Sequence, residues 1–327
     1  MTTRLRLGLI GVGKHGSRYA RHIVHDLRDD LRLVAMARRD VEAGQAQAAQ
    51  YGCRVYGDYR EMIAAPDVDA VVAVVPPTLH LQIVEAAAAE RKPLLLEKPA
   101  AVGVEAGRSM LRVARAAGIP VMVAQTLRYN GVVRVMLEAR SRIGRIHALR
   151  IAQYFEPSRP GWIDEPEVSG GGVVLHTGVH SFDLLRLLSG LEAERVSCEM
   201  SSVNTARTED NFTAVVRLQG GTLASVAASR ATASRGGAIE LVGERGQLIG
   251  DHAMNFVKVV HGSESAALAV PPPVSTVLEM LKDFAAALRR GDPMPIPLEE
   301  GLRAVALAAA CCRAAASHRA EPVAPVE

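Results

Sequence analysis

The sequence predicts an α/β protein of two domains, the first a doubly wound parallel sheet and the second built from longer strands. Three observations carry that prediction. The chain has 327 residues, and a prior of roughly one domain per ~150 residues makes two the natural division. Its first half alternates short apolar runs with helix-period segments, the pattern of parallel strands joined by crossover helices. Beyond about Arg128 the runs lengthen and alternate residue by residue, as strands with one buried face do.

In chain order, residues 5–10, 31–36, 70–75, 94–96 and 121–124 read as the strands of the first domain. Between the first two, Ala20, Ile23, Val24 and Leu27 fall at i, i+3, i+4 and i+7, one face of a helix. In the second domain the strand-like runs are 146–155, 195–203, 212–218, 222–229 and 238–242, with Gln219-Gly220-Gly221 as a hairpin turn. Residues 169–188 interrupt them with three glycines and a helix. Three prolines at 271–273 form a stiff connector to helices at 274–290 and 298–317, and 321–327 reads as a frayed tail. The domains are accordingly 1–125 and 126–327.

Composition narrows the function. With 49% hydrophobic, 22% charged and only 4% aromatic residues, the core is aliphatic and ordinary in extent. A net charge of +3 from 38 basic and 35 acidic residues does not favour a nucleic-acid binder. No run is long enough to span a membrane. Cys53, Cys198, Cys311 and Cys312 form no C-x-x-C pair, which argues against a disulfide framework or a zinc site. No apolar leader follows Met1, and the expected address is the cytoplasm.

The first strand ends at Gly11-Val-Gly13-Lys14-His15-Gly16, immediately before a helix, which is the context that gives G-x-G-x-x-G its value. Gly11 permits the tight turn, Gly13 lets backbone approach a pyrophosphate, and Gly16 lets helix and strand pack closely. Lys14 and His15 join the cofactor-binding set. An NAD site places a carboxylate at the end of the second strand; here stand Arg38 and Arg39, which suit the 2′-phosphate of NADP. NADP is the expected cofactor and NAD the possible one. The alternative has both arginines solvated and Asp40 facing the ribose.

Lysine occurs only at 14, 92, 98, 258 and 282. Lys98, in Glu97-Lys98-Pro99, follows the strand 94–96 and should emerge at the carboxyl edge of the sheet, where an ammonium can support a developing oxyanion. Taken alone, a surface ion pair with Glu97 is the simpler reading. The second constellation is the segment from Gly170 to Asp183. If helical, His176, His180 and Asp183 share one face, with Phe182, Leu185 and Leu188 turned to the core. His180 can take a hydroxyl proton, Asp183 can orient it, and the glycine run can admit a nicotinamide or sugar close to the backbone. Metal ligation by this spacing is the rival, although Thr177 breaks H-E-x-x-H, and capped or core histidines are the plain alternative. No metal is assigned.

Together with Pro76-Pro77-Thr78-Leu79-His80, these motifs resemble, over nearly the whole chain, the glucose-fructose oxidoreductase/inositol dehydrogenase/MocA family. The resemblance implies a Rossmann dinucleotide-binding domain followed by an α/β domain with an open, mostly antiparallel sheet that commonly builds a dimer or tetramer. It implies Lys98 and His180 as the acid/base pair, with Pro76, His80, Glu97, Lys98 and Gln125 near the cofactor. Arg128, Tyr154, Trp162, His176 and His180 join Lys98 as substrate-binding candidates, and Tyr129, Asn130 and Arg159 lie close to them. His176 stands where inositol dehydrogenase-like members carry an aspartate, so the usual Asp–His dyad is absent and the substrate class can differ from inositol. The implied activity is hydride transfer between nicotinamide and a secondary hydroxyl or ketone of a sugar, polyol or derivative. The rivals are a redox-neutral enzyme with retained NAD, for glycoside cleavage or epimerisation, and a non-catalytic NADP-binding sensor.

Overall fold

The structure is a computed structural model and describes residues 4–157 and 161–326. They divide into two compact units: Met1–Ala101, Glu105–Thr126 and Ser275–Gly301 in the first, Val102–Val104, Leu127–Val274 and Leu302–Glu327 in the second.

The first unit opens with β1 (Leu5–Ile10), α1 (Gly16–Arg21), β2 (Leu31–Ala37), α2 (Val41–Tyr51), β3 (Arg54–Tyr56), α3 (Tyr59–Ala64) and β4 (Ala70–Ala73). It continues through α4 (His80–Ala89), β5 (Leu94–Leu96), α5 (Val104–Ala117) and β6 (Val121–Val123). The sheet order is β3-β2-β1-β4-β5-β6, every pair parallel. This is the doubly wound order whose switch point, between β1 and β4, is where ligands bind beyond the strand ends. Every residue of β4, β5 and β6 is buried, as continuous apolar runs in a covered parallel sheet require. After Arg21 the first helix widens into a π turn, His22–Asp26. The short edge strand β3 has no counterpart in the sequence prediction.

The second unit contains α6 (Gly131–Ala139), β7 (Ile146–Tyr154), α7 (Pro166–Ser169), a π turn at Val174–Gly178 and α8 (Val179–Ser189). There follow β8 (Ala193–Ser201), β9 (Asn211–Leu218), β10 (Leu223–Ser229), β11 (Gly236–Gly243), β12 (Gly246–Asp251), β13 (Phe256–His261) and β14 (Glu264–Leu268). The strands run in the order β14-β13-β12-β11-β7-β10-β9-β8, antiparallel except for the β7–β10 pair. The sheet is thus open and mostly antiparallel, as expected. Along β9, Phe212, Ala214, Val216 and Leu218 are buried while Thr213, Val215 and Arg217 are exposed, so one face is covered and the other open. Helices α6 and α8 lie against strands of this sheet. In the hairpin, Gly220 has φ 70° and the Leu218 N–H donates to the Thr222 carbonyl at 2.8 Å.

Two features depart from the sequence reading. The chain returns to the first unit with α9 (Thr276–Arg290), where Ser275 bonds His22 and Arg289 pairs with Asp30. A single division after residue 125 does not anticipate that return. Beyond α10 (Leu298–Ser317), the tail is not frayed within the described residues: β15 (Glu321–Pro322) pairs with β8, and the Val323 N–H donates to Glu194 at 3.0 Å. Strand edges attract any segment with free amides, and Val326, 7% exposed, anchors this one.

Candidate active site

The glycine loop is fixed by contacts that exclude side chains. At Gly11, φ is +84° and a Cβ would stand 2.3 Å from the Val74 carbonyl oxygen; at Gly16 it would stand 1.9 Å from that of Gly11. Both glycines are therefore demanded by the packing of β1, α1 and the end of β4. At Gly13 a Cβ would meet nothing within 4 Å, so this backbone faces open space at the start of a helix, with exposed Lys14 and His15 beside it. That cradle fits a pyrophosphate.

At the end of β2, the Arg38 Nη1 donates to Gln47 Oε1 at 2.7 Å, and Gln47 Nε2 donates to the Val12 carbonyl at 3.3 Å. Asp40 is occupied elsewhere: its carboxylate accepts from the Ala43 N–H at 3.0 Å and caps α2. The charge beside the loop is thus a guanidinium steered by a neutral amide, and Arg39 stands exposed next to it.

Lys98, half-buried, emerges from β5 at a cis Lys98–Pro99 bond. Glu97 is 6% exposed and lies inside the fold rather than at the surface. Its Oε2 accepts from the Lys98 main-chain N–H at 2.8 Å, and its Oε1 accepts from Tyr19 Oη at 2.5 Å and His15 Nε2 at 2.7 Å. Burial pushes the Glu97 carboxyl up, but the His15 bond and charge, the Lys98 charge and the Tyr19 bond together hold it down at about 2. His80 is fully buried and its Nδ1 donates to the Ala100 carbonyl at 3.0 Å, bracing the loop after Pro99; burial lowers its pKa. That placement revises its expected cofactor contact to a supporting one. Pro76 is half-buried, and Gln125, 1% exposed, has an Oε1 without a partner among the described residues. Such an acceptor suits the amide end of a bound nicotinamide.

In the second unit, the histidine helix is held at four points. Glu209, before β9, accepts from Val173 N–H at its carbonyl (2.8 Å) and from Val174 N–H at its carboxylate (3.0 Å). Burial pushes the Glu209 carboxyl above its ordinary range. Further along, Arg230 donates to Thr177 at 2.8 Å, Gln153 donates to Ser181 at 2.9 Å, and Arg128 donates to both oxygens of Asp183, at 2.8 and 2.5 Å. Phe182, Leu185 and Leu188 are fully buried, as predicted. His180 lies half-buried one residue into α8.

Several expected roles change. A Cβ at Gly172 would stand 2.1 Å from the Glu209 carbonyl oxygen, and one at Gly170 would stand 2.6 Å from Val102, so these glycines admit protein rather than ligand. His176, 6% exposed, donates from Nε2 to the Ser169 carbonyl at 3.0 Å, and Trp162 meets it edge-on with centroids 5.6 Å apart. A carboxylate at this position would repel that carbonyl, so the imidazole makes a bond that an aspartate could not. Asp183, expected to orient His180, is the counter-ion of Arg128. Tyr154 follows Gln153, which faces α8; the strand's alternation therefore turns Tyr154 to the open face, away from that helix. Arg159 lies outside the described residues. Tyr129 is buried and Asn130 caps α6 through the Val132 N–H.

A family model described as an oxidoreductase family with an NAD-binding Rossmann fold matches residues 5–125, and a GFO/IDH/MocA C-terminal domain matches 96–249. A 1,5-anhydro-D-fructose reductase of Ensifer adhaerens is 30% identical over 302 residues, 89% of this chain and 91% of the relative. The chain belongs to the Gfo/Idh/MocA oxidoreductase family. A myo-inositol 2-dehydrogenase of Thermotoga maritima is 27% identical, covering 93% of this chain and 94% of its own. The fold matches that of an oxidoreductase domain protein from Kribbella flavida with a TM-score of 0.91 at 22% identity, over 99% of this chain and 100% of that one. Sequence reasoning missed Glu209, Tyr19 and Gln153; none carries a periodic or motif signal, and each gains its role from a partner distant in sequence.

Proposed function

We propose that this protein is an NADP-preferring dehydrogenase that acts on a secondary hydroxyl, or in reverse the ketone, of a sugar, polyol or derivative. The observation that carries the reading is Lys98, set at the carboxyl edge of β5 by a buried carboxylate that also grips the glycine loop. Gly11, Gly13, Lys14, His15, Gly16, Arg38, Arg39, Pro76 and Gln125 would hold the dinucleotide. When bound, it supplies a hydride acceptor at the nicotinamide. Lys98 stabilises the oxyanion that develops on the reacting hydroxyl, and His180 takes the hydroxyl proton. The names of the two relatives, a reductase of an anhydro sugar and a dehydrogenase of a cyclic polyol, support that substrate class.

Cofactor choice rests on Arg38. In a calorimetric titration the wild type binds NADP more tightly than NAD, and Arg38→Asp inverts the order, because a carboxylate repels the 2′-phosphate and accepts from a ribose hydroxyl. An unchanged preference in the variant would remove Arg38 from the site.

The open face of the second unit's sheet supports a homodimer or homotetramer. Val215, Leu223, Val242 and Tyr154 lie there at 55, 47, 37 and 38% exposure, an apolar group of the kind that marks an interface. Light scattering that returned a monomer would exclude it.

A further inference from the structure

Where α9 begins, three side chains from two distant parts of the chain line up. His22 and Asp26 stand four residues apart in the π turn after α1, and Asp26 Oδ2 lies 2.6 Å from His22 Nδ1. On the other side of the ring, His22 Nε2 lies 2.8 Å from Ser275 Oγ, 253 residues away in sequence. Both segments belong to the first unit. The Leu278 N–H donates to the same serine oxygen at 3.4 Å, the usual N-cap contact. That amide occupies a lone pair and leaves the hydroxyl hydrogen for the imidazole. A carboxylate oxygen accepts, so Nδ1 is the nitrogen that donates to Asp26, and Nε2 is the one placed to take the serine proton. A helix cap needs the serine alone; it needs neither the imidazole nor the carboxylate behind it. The His22 side chain is 16% exposed and that of Asp26 46%, while Ser275 is half-buried beside exposed Pro273 and Val274, so the hydroxyl is sheltered but within reach of a small molecule.

We propose that Ser275, His22 and Asp26 form a second reactive centre, in which Ser275 is a nucleophile that takes an acyl group from a short-chain ester. A serine hydroxyl is a poor nucleophile until a base lies within hydrogen-bond reach and a third group orients that base, which is the arrangement here. Ser275 Oγ bonds to the ester carbonyl carbon and passes its proton to His22 Nε2. The bond from that carbon to the alcohol oxygen then breaks, and the alcohol leaves with the proton. Water hydrolyses the acyl-serine along the same path and restores the hydroxyl. The oxyanion formed on the carbonyl has donors at hand, because the first amides of the 15-residue α9 have no acceptor within their own helix. Asp26 is a positioning residue that fixes the ring. Exposed Pro273 and Val274 beside the serine suit a short aliphatic acyl chain. No step involves the nicotinamide, so the centre stands or falls independently of the dehydrogenase reading.

The test is covalent labelling of the full chain at mildly alkaline pH. One probe is a fluorophosphonate, whose phosphorus bonds to an activated serine oxygen as fluoride leaves; the other is p-nitrophenyl acetate. Peptide mass spectrometry places the adducts. The wild type is expected to carry both groups on Ser275 and to release p-nitrophenolate. Ser275→Asn, which keeps a capping oxygen, should lose both adducts at that position while its unfolding midpoint is retained. His22→Gln should slow labelling by about 10²-fold or more. Asp26→Asn should slow it as well, and Asp26→Glu, which returns the carboxylate, should recover most of the rate. Loosened packing would give the reverse order, since asparagine is the closer match in shape. A wild type without an adduct on Ser275, a His22→Gln variant labelled at the wild-type rate, or an Asp26→Asn variant labelled faster than Asp26→Glu would each overturn the proposal.

Discussion

Arg128→Met is expected to cost about 3–5 kcal/mol of stability, the range for breaking a buried ion pair by removing one partner. Asp183 is 1% exposed at its side chain, Arg128 14%, and the guanidinium meets both carboxylate oxygens. Without it a buried negative charge loses its counter-ion on the same helix that carries His180. Denaturant unfolding measures the loss. A double variant, Arg128→Met with Asp183→Leu, should recover most of it, because a buried pair replaced by apolar groups of similar volume is often close to neutral. A single-variant cost below about 1 kcal/mol would mean that the pair behaves as a solvated surface bridge.

The second large effect falls on rate rather than stability. His180→Ala is expected to lower kcat by roughly 10²–10⁴-fold, the usual worth of a positioned general base. Lys98→Ala should lower it by about 10²–10³-fold, as loss of an oxyanion donor does. Neither variant should change NADP affinity more than a fewfold in a binding titration, since the open cradle at Gly13 and the Arg38 guanidinium are left intact. A His180→Ala enzyme with wild-type kcat would remove the histidine from the chemistry.

What was legible beforehand was what local pattern encodes. The glycine loop declared itself because Gly11 and Gly16 answer backbone contacts that recur wherever a strand turns tightly into a helix. The buried strands β4 to β6 and the alternating β9 and β10 follow from burial on two faces or one. Residues 246–268 escaped notice, although β12 to β14 extend the second sheet, because glycines and turn residues break their alternation. The tail looked frayed because the edge it pairs with lies more than a hundred residues earlier. In the site, residue types at motif positions were readable, but their partners were not. Asp183 meets Arg128 across 55 residues and Glu97 meets His15 across 82, pairings that exist only once the strands are assembled. Tyr154 shows the cost of reading position without parity, since one residue along a strand separates the face that meets α8 from the open one.

Net hydride transfer to NADP is tested by mixing the purified chain with NADP and a panel of cyclic polyols and aldoses and following the absorbance of reduced nicotinamide. At least one of them is expected to drive continuous reduction in the wild type and none in Lys98→Ala, with NADP still bound by both. A substrate consumed with no net change in the nicotinamide, or a wild type that binds neither NADP nor NAD, would rule out a dehydrogenase.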